Sequence, residues 1–526
     1  MNQNRGSDIT TADGLRRHAI KRPNKVAVIF EDITLTFRQL EERASRLANG
    51  LLDMGLQKGD RIAIYSANRM EFADFYCGLP KAGLVGVPLS FHMKEEELSY
   101  CVNTSDCKMI LVEPELVERV ENSMSRFKSI NRGQIVVFDG NVPPGMIDYE
   151  DLLKRSSPVD PRVYIRGEDP FYIGYTSGTT GRPKGAVISH RARVNAFITD
   201  AIEMDRFHGD VTLIFAPLCH AAPLINLAGS VFFGAQSVIM RRFNAEEVLR
   251  LVEKHHVTNF FGVPTMFNFI LMLPPEKLHA YDLSSLKWVV SAGAPLHIGT
   301  KKRLMDFLGK DIALHEYYGS SETAKISFLH SDDTIRKNGS VGTGCLGTDI
   351  KILDVSTHQP LPVGEVGEIY MRTPSLITEY DQDPVKTKDA FVDDYMTIGD
   401  VGYLDEEGYL HLVDRSADMV ISGGVNLYPK EIENVLTQHP SIVEAVVIGV
   451  PDEIWGESLL AFVVPKEGER LTEEQVIEYV KSQLSGYKVP KKVEIVSSDA
   501  IPRQPSGKVL KRELRKPYWA GKSRMI

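Results

Sequence analysis

Two strand-like apolar runs, Lys25–Phe30 (KVAVIF) and Arg61–Ser66 (RIAIYS), flank a segment in which Leu40, Ala44, Leu47 and Leu51 recur at helical spacing, with Gly55 as the stop. Strand, helix, strand is the pattern that most limits what this chain can fold into. A run that is apolar throughout is buried on both faces, which is the condition of a parallel sheet covered by helices. The alternation repeats with Glu71–Leu84 as helix and Lys108–Glu113 (KMILVE) as strand. It resumes with Thr212–Leu218, a helix after Pro223, Ser237–Met240, a helix over Ala245–His255, and Asn259–Thr265. Two α/β layers in succession are expected over the first ~400 residues.

The texture then changes. From Val341 to Leu412 the strands shorten and turns multiply, which suggests antiparallel strands or a small barrel. After Arg415 come strands EAVVIGV and LLAFVVP, a helix opened by a capping box at Thr472 and Gln475, and strand KVEIV. The expected fold is therefore α/β: a large N-terminal domain (1–414) of two α/β layered subdomains plus a small β-barrel-like subdomain. A hinge at 415–418 and a small, mobile α+β C-terminal domain (419–526) follow.

A formal net charge of −9 over 526 residues argues against a nucleic-acid binder. The five cysteines, Cys77, Cys101, Cys107, Cys219 and Cys345, have no metal-ligand spacing and read as reduced thiols of a cytoplasmic protein. The first residues lack the apolar core of a signal peptide. Val211–Met240 carries no charge beyond His220, but Pro217, Pro223, Asn226, Gly229, Gly234 and Gln236 interrupt it, so a buried helix followed by a strand is expected and no transmembrane segment. A homodimer stays open.

The stretch YTSGTTGRPKGAV (Tyr175–Val187) sets three glycines, a serine, three threonines and a lysine between apolar runs. Such a loop suits phosphate, because Gly-rich turns aim consecutive N–H groups into one concavity and the hydroxyls and lysine add donors. It is not a Walker loop: Pro183 and Gly185 flank Lys184, and neither launches a helix. Gly342-Thr-Gly-Cys-Leu-Gly347 matches a dinucleotide fingerprint, but TDIKILD follows and alternates like a strand. No Gly-x-Ser-x-Gly elbow is present.

YTSGTTGRPKG resembles the signature of the adenylate-forming superfamily of acyl-CoA synthetases, peptide-synthetase adenylation domains and beetle luciferases. The resemblance continues, in the family order, through PLCHAAP (Pro217–Pro223), SAGAPL (Ser291–Leu296), EYYGSSET (Glu316–Thr323), GEIYM (Gly367–Met371), TIGDVGYLDEEGYL (Thr397–Leu410), DRSADMVISGGVNLYPKEIE (Asp414–Glu433) and PRQPSGKVLKREL (Pro502–Leu514). It implies a reaction that joins a carboxylate to the α-phosphorus of ATP, releases pyrophosphate, and passes the acyl group to a thiol. Two anions meet in the first step, so positive charge and Mg²⁺ are required.

By resemblance, the loop Thr176, Ser177, Gly178, Thr179, Thr180 to Lys184 closes over the β- and γ-phosphates. Glu322 matches the Mg²⁺-binding acid, with Ser321 in place of the usual threonine. Asp400 matches the acid that grips the ribose, Tyr318 the ring near adenine, and Arg415 a nucleotide-contacting arginine. Lys508 matches the lysine bridging carboxylate and phosphate. Gly293, Ala294, Pro295, Glu316, Tyr317 and Gly319 complete the nucleotide set. His190 reads as satisfying a local hydrogen bond. His220 matches a histidine beside the acyl pocket, with Cys219 where an aromatic residue is usual. Ala417 occupies the hinge position, where Lys or Asp is common, and the Gly344–Leu346 stretch lacks a proline that the family often places there.

An amino-acid-activating domain would carry an aspartate where this chain has FAPLCHAAPLIN, so CoA ligation fits best. Ser422, Gly423 and Gly424 then line the pantetheine tunnel after the C-terminal domain rotates. Pocket positions Ala222, Phe261, Val263, Ala292, Gly293, Ala294, Tyr317 and Gly319 suggest room for a medium-chain, branched or cyclic acid, and no lysine or arginine in these stretches calls for a second carboxylate. The competing readings are an acyl-AMP ligase that loads a separate carrier protein and a catalytically idle nucleotide sensor.

Overall fold

The computed structural model describes residues 8–176, 183–415, 418–422, 425–452, 454–503 and 509–520. The chain gathers into two compact units, one of residues 1–350 with 371–396 and the other of 351–370 with 397–526.

The first unit is α/β and holds two large sheets. Six strands of the nine-stranded sheet run parallel, in the order Ala313–Ser320, Trp288–Ser291, Asn259–Gly262, Val211–Ile214, Gln236–Ile239 and Val26–Phe30. Antiparallel strands Ala324–Leu329 and Thr343–Gly344 extend one edge and Ile33–Thr36 the other. The eight-stranded sheet runs Glu379–Tyr380, Lys184–Ser189, Pro170–Thr176, Val85–Leu89, Arg61–Tyr65, Cys107–Val112, Ile135–Val137 and Ile147–Asp148. Ala63, Val87, Ile110, Val112 and Ile135 of this sheet are fully buried, as near-continuous apolar strands of a parallel sheet must be.

The two layers do not simply follow one another. Val26–Phe30 pairs not with Arg61–Tyr65 but with Gln236–Ile239, Val28 opposite Ser237 and Phe30 opposite Ile239. Apolar runs report that a strand is buried, not which neighbour buries it. The helix between them spans Phe37–Asp53, is opened by a Thr36–Gln39 capping box, and ends before Gly55, whose φ of 89° only glycine adopts freely. The uncharged stretch resolves into strand Val211–Ile214, helix Ala221–Phe233 and strand Gln236–Ile239, as expected. Among the described residues no helix is long and apolar enough to cross a membrane. All five cysteines are free and buried.

In the second unit, Ile442–Asp452 and Gly456–Pro465 form a long antiparallel hairpin, with Lys492–Ile495 parallel to its second strand. Helices Pro429–Leu436 and Glu473–Gln483 cover it through Ile432, Leu436, Val476 and Val480, and the Thr472–Gln475 capping box is present. Of the strands expected to be short before residue 412, Asp349–Leu353 and Gly367–Arg372 are, whereas Tyr395–Leu404 runs ten residues and pairs antiparallel with Leu410–Arg415.

Candidate active site

The positions singled out as acyl pocket come together at the carboxyl ends of neighbouring parallel strands. Phe261 and Val263 end or follow Asn259–Gly262, Ala292 and Gly293 follow Trp288–Ser291, and Tyr317 and Gly319 lie near the end of Ala313–Ser320. Ala222 arrives on the helix that follows Val211–Ile214, the next strand in the same sheet. In an open α/β sheet the carboxyl ends of the strands are where loops can form a crevice. Ala222, Phe261, Val263, Ala292 and Tyr317 share one apolar cluster with Met204, Trp288, Phe328 and Cys345, and the Phe261 and Tyr317 rings lie 6.1 Å apart. His220 is the residue that precedes the same helix; it is exposed and its side chain makes no cap hydrogen bond. The adjacent Cys219 sulfur pushes the imidazole pKa up against the opposing effect of burial.

Gly293 takes a positive φ of 85°, and Ala294 and Pro295 are exposed beside it. Glu316 is buried and turns to Lys301 at 2.5 Å; burial raises its pKa against the pull of Lys301 and of the Leu296 backbone. Its carboxylate thus meets the Lys301 ammonium and the Leu296 backbone N–H. Tyr318 is buried. Gly319 is required by close approach: a Cβ there would stand 1.9 Å from the Ala324 carbonyl oxygen, across a bulge between Tyr318 and Gly319. The tight turn that follows is held by Ser320 Oγ and Thr323 Oγ1, with Ser321 half-buried within it and Ala324 at φ 55°.

That turn presents Glu322. Its Oε1 accepts from Thr176 Oγ1 at 3.2 Å and from the Tyr380 hydroxyl at 3.3 Å, and among the described residues it makes no ion pair. Thr176 and Lys184 face each other as Cα partners across the base of the Gly-rich hairpin. Burial, then the neighbouring Lys386 ammonium, lowers the Lys184 pKa against Asp383 and Glu322. The site therefore holds a mostly buried carboxylate gripped by two neutral hydroxyls, with two ammonium groups beside it. Mg²⁺ suits such a carboxylate, because it is a hard ion that binds through one or two carboxylates plus phosphate oxygens rather than in an all-protein cage.

Models of two protein families match the chain: the AMP-binding enzyme over residues 15–381, and the AMP-binding enzyme C-terminal domain over residues 431–508. The chain belongs to the AMP-binding enzyme family. This AMP-binding enzyme is 35% identical over 506 residues to a feruloyl-CoA synthase of Amycolatopsis sp, covering 95% of this chain and 98% of that protein. It is 32% identical over 520 residues to the long-chain-fatty-acid–CoA ligase FadD13 of Mycobacterium tuberculosis, covering 96% and 98%. Among solved structures, ATP-bound MatB from Rhodopseudomonas palustris superposes with a TM-score of 0.86 at 30% identity, covering 97% of this chain and 99% of that one. The family and these relatives place the AMP-binding enzyme in the acyl-CoA synthetase branch of the adenylate-forming superfamily, a class of AMP-forming ligases.

In the second unit of this AMP-binding enzyme, Asp400 is buried and stands directly opposite Arg415 across the hairpin. Ser422 ends a short strand and pairs with Val425 and Gly456. Asp414 accepts the Lys430 backbone N–H at 2.8 Å, and Arg515 grips Asp418 at 2.6 Å. Ser177, Gly178, Thr179, Thr180, Ala417, Gly423, Gly424 and Lys508 lie outside the described residues. His190 pairs its Nδ1 with Thr11 Oγ1 at 2.9 Å, a partner 179 residues away rather than the local one expected, and its buried Nε2 has no hydrogen-bond partner among the described residues.

Sequence reasoning missed Tyr380 and Lys386, which no motif contains. It also missed the charge beside the apolar cluster: buried Lys325 pairs with Asp200 at 2.7 Å and sits 4.7 Å from the Tyr317 ring centroid. The one local signal was Asp383-Pro384, a helix start that places Lys386 one turn on.

Proposed function

We propose that the protein is an ATP-dependent acyl-CoA ligase acting on a medium-chain, branched or cyclic/aromatic carboxylic acid. The observation that carries this reading is the Thr176–Glu322–Tyr380 cluster at the base of the Gly-rich hairpin, in a family member whose pocket positions share one apolar cluster. In the first half-reaction a carboxylate oxygen bonds to the α-phosphorus of ATP, and the bond to the β-phosphate oxygen breaks with its electron pair leaving on pyrophosphate. Thr176, Ser177, Gly178, Thr179, Thr180 and Lys184 neutralise the β- and γ-phosphates, and Lys508 bridges the two reacting anions. Gly293, Ala294, Pro295 and the Glu316–Ser321 strand and turn form the adenine and α-phosphate side. Asp400 and Arg415 hold the ribose and phosphate. When bound, Mg²⁺ at Glu322 supplies charge neutralisation for the departing phosphates.

In the second half-reaction the CoA thiol attacks the acyl carbonyl, loses its proton, and AMP leaves with the electron pair. A pivot near Ala417, within a hinge at 415–418, turns the 419–526 domain so that Lys508 withdraws and Ser422, Gly423 and Gly424 line the CoA tunnel. His220, Ala222, Phe261, Val263, Ala292, Tyr317 and Gly319 bound the acyl group. The five free, buried cysteines fit a reducing, cytoplasmic setting.

The test is pyrophosphate release with Mg·ATP across acetate, octanoate, benzoate, cyclohexanecarboxylate, cinnamates and a bile acid, with and without CoA. Release that needs one acid and turns over only with CoA supports the proposal. Turnover supported by a carrier protein and not by CoA would replace it with carrier loading, and silence with every acid would favour the sensor.

A further inference from the structure

Lys386 lies outside every motif, on the short helix Pro384–Asp389, yet its ammonium stands 5.5 Å from the ring centroid of Tyr380, whose hydroxyl holds Glu322. Tyr380 reaches this place because Glu379–Tyr380 pairs antiparallel with Lys184–Ser189, the strand that leaves the Gly-rich hairpin, Tyr380 opposite Ala186. The helix behind it is pinned: Asp383 accepts the Lys386 backbone N–H at 2.9 Å, and Thr387 Oγ1 accepts the Tyr380 backbone N–H at 2.9 Å. Lys184 lies two residues before Ala186 on the neighbouring strand, so the antiparallel register carries the chain after Tyr380, and with it the start of the Lys386 helix, alongside Lys184. Two like charges side by side cost free energy unless an anion joins them. Asp383 and Glu322 offset this repulsion only in part, since the Lys386 charge acts on Lys184 more strongly than either, and both carboxylates are also held elsewhere, Asp383 by the Lys386 backbone N–H and Glu322 by two hydroxyls. Both lysines are half-buried and keep part of their surface in solvent.

We propose that Lys386 is a second phosphate-binding lysine, paired with Lys184, that holds the β- and γ-phosphates of ATP and then the departing pyrophosphate. The inference rests on the ligase reading and adds a residue to it. As the bond between the α-phosphorus and the bridging oxygen breaks, the electron pair moves onto pyrophosphate, and Lys386 neutralises that charge. A lysine that merely rests on an aromatic ring would stabilise the fold without caring whether pyrophosphate is present.

The experiment is calorimetric titration of the full chain with Mg·ATP, Mg·pyrophosphate and AMP, for wild type, Lys386→Gln and Lys386→Arg. Loss of one charge-assisted contact is expected to weaken Mg·ATP and Mg·pyrophosphate about tenfold in Lys386→Gln, with AMP affinity unchanged and Lys386→Arg close to wild type. If wild type binds all three and Lys386→Gln alters none, the inference is overturned while the ligase reading stands. If Lys386→Gln weakens AMP as much as pyrophosphate, or only lowers the melting temperature, Lys386 is structural and the inference is again overturned. If wild type binds neither ATP nor AMP, the ligase reading fails and takes this inference with it.

Discussion

Gly319→Ala tests whether the Glu322 turn is as tightly held as the geometry says. The added Cβ would lie 1.9 Å from the Ala324 carbonyl oxygen, 2.9 Å from its carbon and 3.1 Å from Lys325 Cα, all backbone atoms that no rotamer change can move. Bringing the closest of these to 3.0 Å, below which real Cβ atoms essentially never approach, means opening the bulge by about 1.1 Å. Glu322 sits in the turn beyond that bulge, between the paired residues Ser320 and Ala324, and its contacts to Thr176 and Tyr380 are already 3.2 and 3.3 Å long. A 1 Å misplacement of catalytic groups costs about 10²-fold, roughly 2.7 kcal/mol of transition-state free energy. We expect kcat/KM for pyrophosphate release to fall about 10²-fold in Gly319→Ala, with the melting temperature lowered by overpacking worth about 1–3 kcal/mol. The assay is steady-state pyrophosphate release with the best acid substrate, beside thermal unfolding. Activity within threefold of wild type would refute the reasoning that this approach fixes Glu322.

Glu322→Gln keeps the shape but not the charge; it should raise the Mg²⁺ concentration needed for half-maximal pyrophosphate release at least tenfold, and an unchanged Mg²⁺ titration would remove Glu322 as the metal site. Lys508→Ala should abolish adenylation while leaving thioester formation from supplied acyl-adenylate largely intact; equal loss of both would sink the two-face scheme. Burial lowers the His190 pKa from 6.5 to about 4. Because the folded value is the lower one, its stabilisation is full above pH 6.5 and is lost as pH falls towards 4, up to about 3 kcal/mol. His18, pulled down to about 4 mainly by burial and then by Arg22 and Arg17, adds to the same acid slope. His190→Gln should therefore lose less melting temperature than wild type between pH 7.5 and pH 5, and a parallel loss would show that His190 is not a source of that slope.

Much of this molecule was legible in its sequence because the signals were local. Helical spacing of Leu40, Ala44, Leu47 and Leu51 marked the first long helix, and the Thr472–Gln475 box marked the start of a later one. What was not legible was long-range. No pattern within Val26–Phe30 says that it pairs with Gln236–Ile239, more than two hundred residues away. The pocket positions came from family resemblance, but the strand order that makes them neighbours is a property of the sheet. Tyr380 and Lys386 escaped because their chemistry comes from a two-residue edge strand and a short helix, elements too brief to carry a period. Lys325 escaped because a buried lysine is intelligible only once Asp200 is seen beside it.

The central claim is that an acid oxygen attacks the α-phosphorus of ATP. The most direct measurement is to supply the preferred acid doubly labelled with ¹⁸O in its carboxylate, with Mg·ATP and CoA, and weigh the products by mass spectrometry. Attack on the α-phosphorus puts one ¹⁸O in every AMP formed and leaves pyrophosphate unlabelled. Label in orthophosphate with ADP as the nucleotide product, or unlabelled AMP beside a labelled thioester, would contradict it.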